Sequence, residues 1–159
     1  MAPKPFVLRM RRDLGGVIEH AEWPEGVACR TLGKADSKAA HAVLSAGFWE
    51  GGGGAPQYRQ WWSQLARDSE FDSALFFLAA DREGVCGLAQ CWTSNFVKDL
   101  AVHPRVRRRG IGRALMLTTF HAFRKRGATF VDLKVREENA VAQRLYRDLA
   151  MTVVGREPG

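Results

Sequence analysis

The sequence predicts one mixed α/β (α+β) domain, and three observations carry that prediction. At 159 residues the chain has room for one core of ordinary size and little room for two. Its apolar residues fall into short runs of strand character separated by longer stretches of helical period. Its second half then alternates strand, helix, strand, helix, strand.

Phe6 to Met10 (FVLRM) and Val27 to Leu32 (VACRTL) read as short strands, rich in apolar residues and bounded by polar ones. Lys34 to Phe48 reads as a helix, with Ala35, Ala39, Ala42, Val43 and Ala46 on one face. Gly51 to Gly54 reads as a flexible loop joining this helix to the next, or as a mere spacer, because no regular element tolerates four glycines cheaply. After Pro56 a second helix runs through Tyr58, Trp61, Trp62 and Leu65. Ala74 to Ala80 (ALFFLAA) is apolar throughout and predicts a buried strand. The turn Asp81 to Gly84 returns it antiparallel into Val85 to Thr93. Phe96 to Val102 is the next strand, stopped at Pro104. Ile111 to Lys125 carries Ile111, Ala114, Leu115, Thr118, Ala122 and Phe123 on one helical face and ends at Gly127. Thr129 to Val135 alternates as a half-buried strand. Asn139 caps a helix through Leu149, and Met151 to Gly155 is a last short strand.

Composition removes several classes of function. Hydrophobic residues at 46% and charged residues at 26% describe a globular chain, not a disordered one. No apolar run approaches the roughly 20 residues that span a bilayer, and MAPKPFVLRMRR has no signal-peptide h-region, so neither a membrane partner nor export is expected. Cys29, Cys86 and Cys91 form no CxxC, which argues against a disulfide framework or a metal site and suits the cytoplasm. The net charge of +7 raises the question of nucleic acid. Residues 100 to 126 contain eight Arg or Lys and no acid, leaving −1 for the rest of the chain. Charge so confined indicates a local anion site, and no nucleic-acid partner is expected.

That site is Leu100 to Arg113, LAVHPRVRRRGIGR. A strand gives way to a basic turn, and two glycines open a long helix. The first turn of a helix has unpaired backbone N–H groups and the positive end of the macrodipole, so it attracts phosphate. Gly110 and Gly112 let phosphate approach without a Cβ in the way, while Arg107, Arg108, Arg109 and Arg113 add charge. The segment lacks the GxxxxGK[ST] of a P-loop, and Leu115 stands where a dinucleotide fingerprint has its third glycine. By itself the turn leaves open a plain strand-to-helix connection with solvated arginines.

Val102-x-Pro104-x-x-Arg107-x-x-Gly110-x-Gly112 resembles the acyl-CoA signature of the GNAT N-acyltransferase superfamily, and Asn139-x-x-Ala142-x-x-Leu145-Tyr146 resembles that family's NxxAxxLY helix. The two motifs cover residues 97 to 151. The resemblance implies a mixed, mostly antiparallel twisted sheet with about four helices. It also implies acetyl-CoA as cosubstrate, bound at the turn between the family's fourth strand and third helix. Leu100, Ala101 and Val102 would bond the pantetheine arm, with an amide near Val102 polarising the thioester. Arg107, Arg108, Arg109, Gly110, Ile111 and Gly112 would cradle the pyrophosphate, continued by Arg113. Asn139 would contact the CoA arm, or serve as a plain N-cap, or both. Tyr146 would be the general acid that protonates the departing thiolate, with a core tyrosine as the alternative.

The same resemblance implies direct attack by the amine in a ternary complex, which leaves Cys86 and Cys91 as core residues. Asp99 and Glu50 are the candidate bases, and each also reads as a solvated carboxylate. His103, beside the arginines, is not expected to act. Ala150-Met151 stand where the family has Gly-Phe, a cost of about 1 kcal/mol if Ala150 must be left-handed. Little chain follows for the family's usual final strand, so that edge is expected to be open or filled by a partner in a homodimer. Phe48, Trp49, Tyr58, Trp61, Trp62 and Trp92 read either as an aromatic wall for an amine, with Glu50 nearby, or as helix-to-sheet core. A primary amine of a small molecule is the expected acceptor. The alternatives are a protein or peptide acceptor, or a non-catalytic domain that binds CoA or nucleic acid.

Overall fold

The computed structural model describes residues 5–49 and 55–159. Its elements follow the chain as β1 (Phe6–Asp13), β2 (Ala28–Thr31), α1 (Ser37–Trp49), α2 (Tyr58–Arg67), β3 (Phe71–Asp81), β4 (Gly84–Trp92), β5 (Phe96–Val102), α3 (Ile111–Lys125), β6 (Phe130–Arg136), α4 (Ala140–Asp148) and β7 (Thr152–Pro158). A single 3₁₀ turn, Pro104–Val106, links β5 to α3. This is the mixed sheet with four helices that the sequence predicts.

The seven strands lie in the order β2-β3-β4-β5-β6-β1-β7. Every neighbouring pair is antiparallel except β5 and β6, which are parallel and join only at Phe96 with Asp132 and Val97 with Leu133. Beyond Val97 the two strands part, so the sheet is split by a gap that opens toward the C-terminal end of β5.

Apolar side chains on the two faces of the sheet form two cores. On one face α3 lays Ile111, Leu115, Phe120 and Phe123 against Leu8 and Met10 of β1, Val97 of β5 and Val131 and Leu133 of β6. On the other, α1 and α2 bury Ala40, Val43, Leu44, Trp61 and Leu65 against Phe76, Leu78, Leu88 and Ala101. Two close approaches hold these layers together. A Cβ on Gly87 would lie 3.1 Å from Ile111 of α3, and one on Gly47 would lie 3.1 Å from Ala101. Leucine-sized side chains at either place would push the helix off the sheet.

The end of the sheet differs from expectation. β7 runs on to Pro158, and the chain's own first strand enters between β6 and β7, pairing with both. β1 thus fills the place between β6 and β7, and β7 stands at the end of the sheet, paired among the described residues with β1 alone. Residues 14 to 27 then form a strap across α3. Leu14, Ile18 and Val27 are buried beneath it, and Arg124, His121 and Arg109 bond to the carbonyls of Gly16, Glu19 and Glu25.

Candidate functional site

Strand alternation determines which backbone groups face the gap. The His103 N–H donates to the Cys86 carbonyl of β4 at 2.8 Å, so by the period of two Ala101 also turns its backbone to β4. Leu100 and Val102 then present theirs to the gap. Of the three residues proposed to line a ligand arm, two face the gap and Ala101 does not; its side chain belongs to the core under α1. The Val102 carbonyl accepts from Arg107 Nε at 3.3 Å.

At the mouth of the gap the chain makes its 3₁₀ turn, with the His103 ring nitrogen Nδ1 accepting from the Arg105 N–H at 3.1 Å. That lone pair is therefore engaged in holding the turn. Arg108 (φ 64°) and Gly110 (φ 83°) are left-handed, and Gly110 is the residue before α3. Among the described residues the backbone N–H groups of Arg108 to Arg113 have no protein acceptor. Such a bend of N–H groups at a helix N-terminus has the geometry to accept an anion. Gly110 is explained by its φ. Gly112 is not required by the protein, because a Cβ there would meet Leu145 and Val102 at an ordinary 3.7 Å. Its bare backbone leaves space for a ligand instead.

The arginines divide. Arg105 is locked by Asp81 (2.7 and 3.0 Å) and Glu83 (2.8 Å), and its guanidinium holds the Asp81 carboxyl down to about 2. Arg113 is paired with Glu19 of the strap, and Arg109 donates to the Glu25 carbonyl at 3.3 Å. Arg108 is exposed. A cleft of about 770 Å³, lined by Glu25, Gly26, Arg82 and Arg109 among others, adjoins the turn.

Helix α4 closes the site from the β6 side. Leu145 and Val102 both approach Gly112, so the ends of β5 and α4 and the start of α3 converge. Asn139 is the N-cap, its side-chain oxygen accepting from the Ala142 N–H at 3.1 Å. Its amide group therefore remains available as a donor. Tyr146 has its ring in the core under α3, and burial pushes the phenol up to about 12. Its hydroxyl bonds to no described residue, yet among the described residues no sealed polar side-chain atom lacks a partner. The ring is thus enclosed while the oxygen reaches accessible space.

Asp99 lies on β5 with only 11% of its side chain exposed, bonded to Lys98 at 3.1 Å. Like Ala101 it faces the α1 side, opposite α3. Glu50 lies outside the described residues, as do the side chains of Phe48 and Trp49. Of the remaining aromatics Trp61 is core, while Tyr58, Trp62 and Trp92 are half-buried against the same cluster. Trp61 is buried edge-on against Phe76, Trp62 packs on Phe71, Tyr58 bonds to Ser37 at 2.6 Å, and Trp92 packs on the same cluster. Cys86 and Cys91 are fully buried, and burial raises the Cys91 thiol to about 12.

Sequence reading missed the strap and β1's part in the site. Glu19 and Glu25 meet the basic turn from the strap. Arg12, on β1, bonds to the end of α4. Leu14, Ile18 and Val27, apolar residues in a polar stretch, were the available signal for a covered segment.

The model of the acetyltransferase (GNAT) family matches residues 37–151. The mycothiol acetyltransferase of Thermobispora bispora is 33% identical over 91% of this chain and 52% of its own length. That of Tsukamurella paurometabola is 31% identical over 96% and 57%. The crystal structure of a GCN5-related N-acetyltransferase from Sphaerobacter thermophilus superposes with a TM-score of 0.82 at 27% identity, covering 98% of this chain and 50% of that one. The chain thus spans about half the length of these relatives.

Proposed function

The chain belongs to the acetyltransferase (GNAT) family, and on that premise we propose that it transfers an acetyl group from acetyl-CoA to a primary amine of a small molecule. The observation that carries this reading is the unpartnered backbone N–H series Arg108 to Arg113 at the mouth of the gap between β5 and β6. The residues present fit the cosubstrate: free N–H groups and arginines for a pyrophosphate, and a split sheet for an extended arm. When bound, acetyl-CoA supplies the thioester that an amine attacks and the thiolate that leaves.

Within this reading the N–H groups of Arg108 to Arg113 hold the pyrophosphate, with Arg107, Arg109 and Arg113 supplying charge. Leu100 and Val102 bond the arm along the edge of β5 and orient the thioester carbonyl. Tyr146 holds its proton throughout neutral pH because burial disfavours the phenolate. It stands as hydrogen-bond donor to the developing thiolate, whose ordinary pKa is about 8.5. Asp99, on the opposite face of β5, receives the amine proton directly or through water. The mycothiol acetyltransferases named above support a small-molecule acceptor. Among the described residues no helix is long and apolar enough to cross a membrane. The unpaired cysteines suit a cytoplasmic setting.

Thermal unfolding with acetyl-CoA, CoA and ATP tests the reading. A ligand at 100 times its Kd stabilises by about 2.7 kcal/mol. The expected result is a rise with acetyl-CoA and CoA and none with ATP, and no rise with either CoA species overturns it. In a following amine screen, Tyr146→Phe is expected to lower kcat about 10²-fold while leaving the acetyl-CoA shift intact.

A further inference from the structure

Among the described residues Arg12 is a buried cation with no carboxylate bonded to it. Its residue exposure is 8%, and it sits on β1 with Leu8 and Met10 on the face under α3. Its guanidinium lies 5.0 Å above the Phe120 ring. Nη1 donates to the Leu149 carbonyl at 3.0 Å and Nη2 to the Val17 carbonyl at 3.4 Å. A charge taken from water and met by two carbonyls and a ring face, with no carboxylate bonded to it, is costly, and a core leucine or methionine would fill the same space without that cost. What the guanidinium does hold is the end of α4. Leu149 is the C-cap residue, and the N–H groups of both Leu149 and Met151 bond to the carbonyl of Tyr146 at 3.1 and 3.0 Å.

That last turn is otherwise under strain. Ala150 is left-handed (φ 63°), a conformation that suits glycine, and Leu149 and Met151 are inserted into the core on either side of it. A cation at the C-terminal end of a helix is also favoured by the macrodipole and satisfies a carbonyl that the helix leaves unpaired. We infer that Arg12 is a positioning residue for Tyr146: by clamping the last turn of α4 to β1 and the strap, it sets where the phenol hydroxyl stands at the gap. The inference rests on the proposed role of Tyr146 as proton donor. It gives β1 a part in the chemistry as well as in the sheet, since the strand between β6 and β7 is the one that carries the clamp.

The test is a double-mutant cycle of Arg12→Lys and Tyr146→Phe. The rate is read as release of CoA thiol, with water as acceptor where no amine is faster. It is combined with amide hydrogen exchange at Leu149, Ala150 and Met151. Arg12→Lys keeps the charge and loses the two-point fork. It is expected to lower kcat about tenfold, to leave KM for acetyl-CoA within about twofold, and to speed exchange at those three amides. In the Tyr146→Phe background the same substitution should change kcat less than about twofold, because the donor it positions is gone. Equal loss in both backgrounds, or unchanged exchange at the three amides, overturns the inference while leaving Tyr146 in its role. A Tyr146→Phe enzyme as fast as wild type instead removes the donor assignment, and the inference falls with it. Should Arg12→Lys fold poorly, adding Ala150→Gly relieves the left-handed strain. The expected result is recovered stability with the deficit in kcat retained, and full recovery of kcat overturns the inference.

Discussion

The two halves of the sheet are built differently. In β2 to β5 the strands are antiparallel, α1 and α2 lie on one face and α3 on the other, and β3 and β4 are buried in unbroken runs. In β6, β1 and β7 burial alternates along β1. The face away from α3 carries Arg9 and Arg11 bonded to the fully buried Asp132, with Lys134 paired to Glu157 beyond. The first half is held mainly by apolar area and the second by apolar area on one face and ion pairs on the other. They meet through two residue pairs of a parallel ladder, and the candidate site opens where that ladder ends. The core under α3 runs across both halves, so they are held together through that helix without pairing their strand edges along the full length of the gap.

Three substitutions would break or sharpen this contrast. Phe76→Ala, in the middle of the first half and fully buried, is expected to cost about 3–5 kcal/mol in urea unfolding, with no pH dependence between 7 and 3 beyond that of wild type. Asp132→Asn, in the second half, is expected to cost about 2 kcal/mol at pH 7, discounted because Arg9 and Arg11 are some 40% exposed. Its pH dependence has a definite sign. Burial raises the Asp132 carboxyl, but hydrogen bonds from Arg11 and Arg9 outweigh it and hold it below the ordinary 3.8. A depressed carboxylate stabilises the fold above its unfolded value and loses that contribution as pH falls through the folded one. The gap between Asp132→Asn and wild type should therefore begin to narrow as pH falls below about 4, and a gap as wide at pH 3 as at pH 7 would mean that ion pairing is not what holds this half. The smallest effect belongs to Ala150→Gly, expected to stabilise by about 0.5–1 kcal/mol because glycine accepts the left-handed φ of 63° without strain. Thermal unfolding reads it directly.

These expectations also mark where sequence reasoning reached. Phe96–Val102 and Ile111–Lys125 coincide with the spans read from periodicity, and Asn139 caps α4 as its position before a helical run implies. The basic turn was legible because its parts are contiguous: a strand end, glycines at fixed offsets and a helix start. The departure at Ala150 was legible as a conditional, and its positive φ meets the condition. The aromatic stretch around Tyr58, Trp61 and Trp62 supported two readings, and only the position of Phe76 beneath it made Trp61 core, while Tyr58 and Trp62 are half-buried at its margin.

Local sequence specifies which segments are strands and helices, which of their faces are buried, and where a basic, glycine-bearing turn leads into α3, because each depends on neighbours within one or two turns of chain. The tertiary structure alone decided that β1 runs between β6 and β7, that Leu100 and Val102 face the gap while Ala101 turns away, and that Arg12 reaches Leu149, 137 residues further along. The physical reason is that alternation encodes the face a side chain takes and is silent about which strand lies beside it. Pairing at long separation is set by the fit of whole elements, and the clamp on α4 exists only after that fit is made.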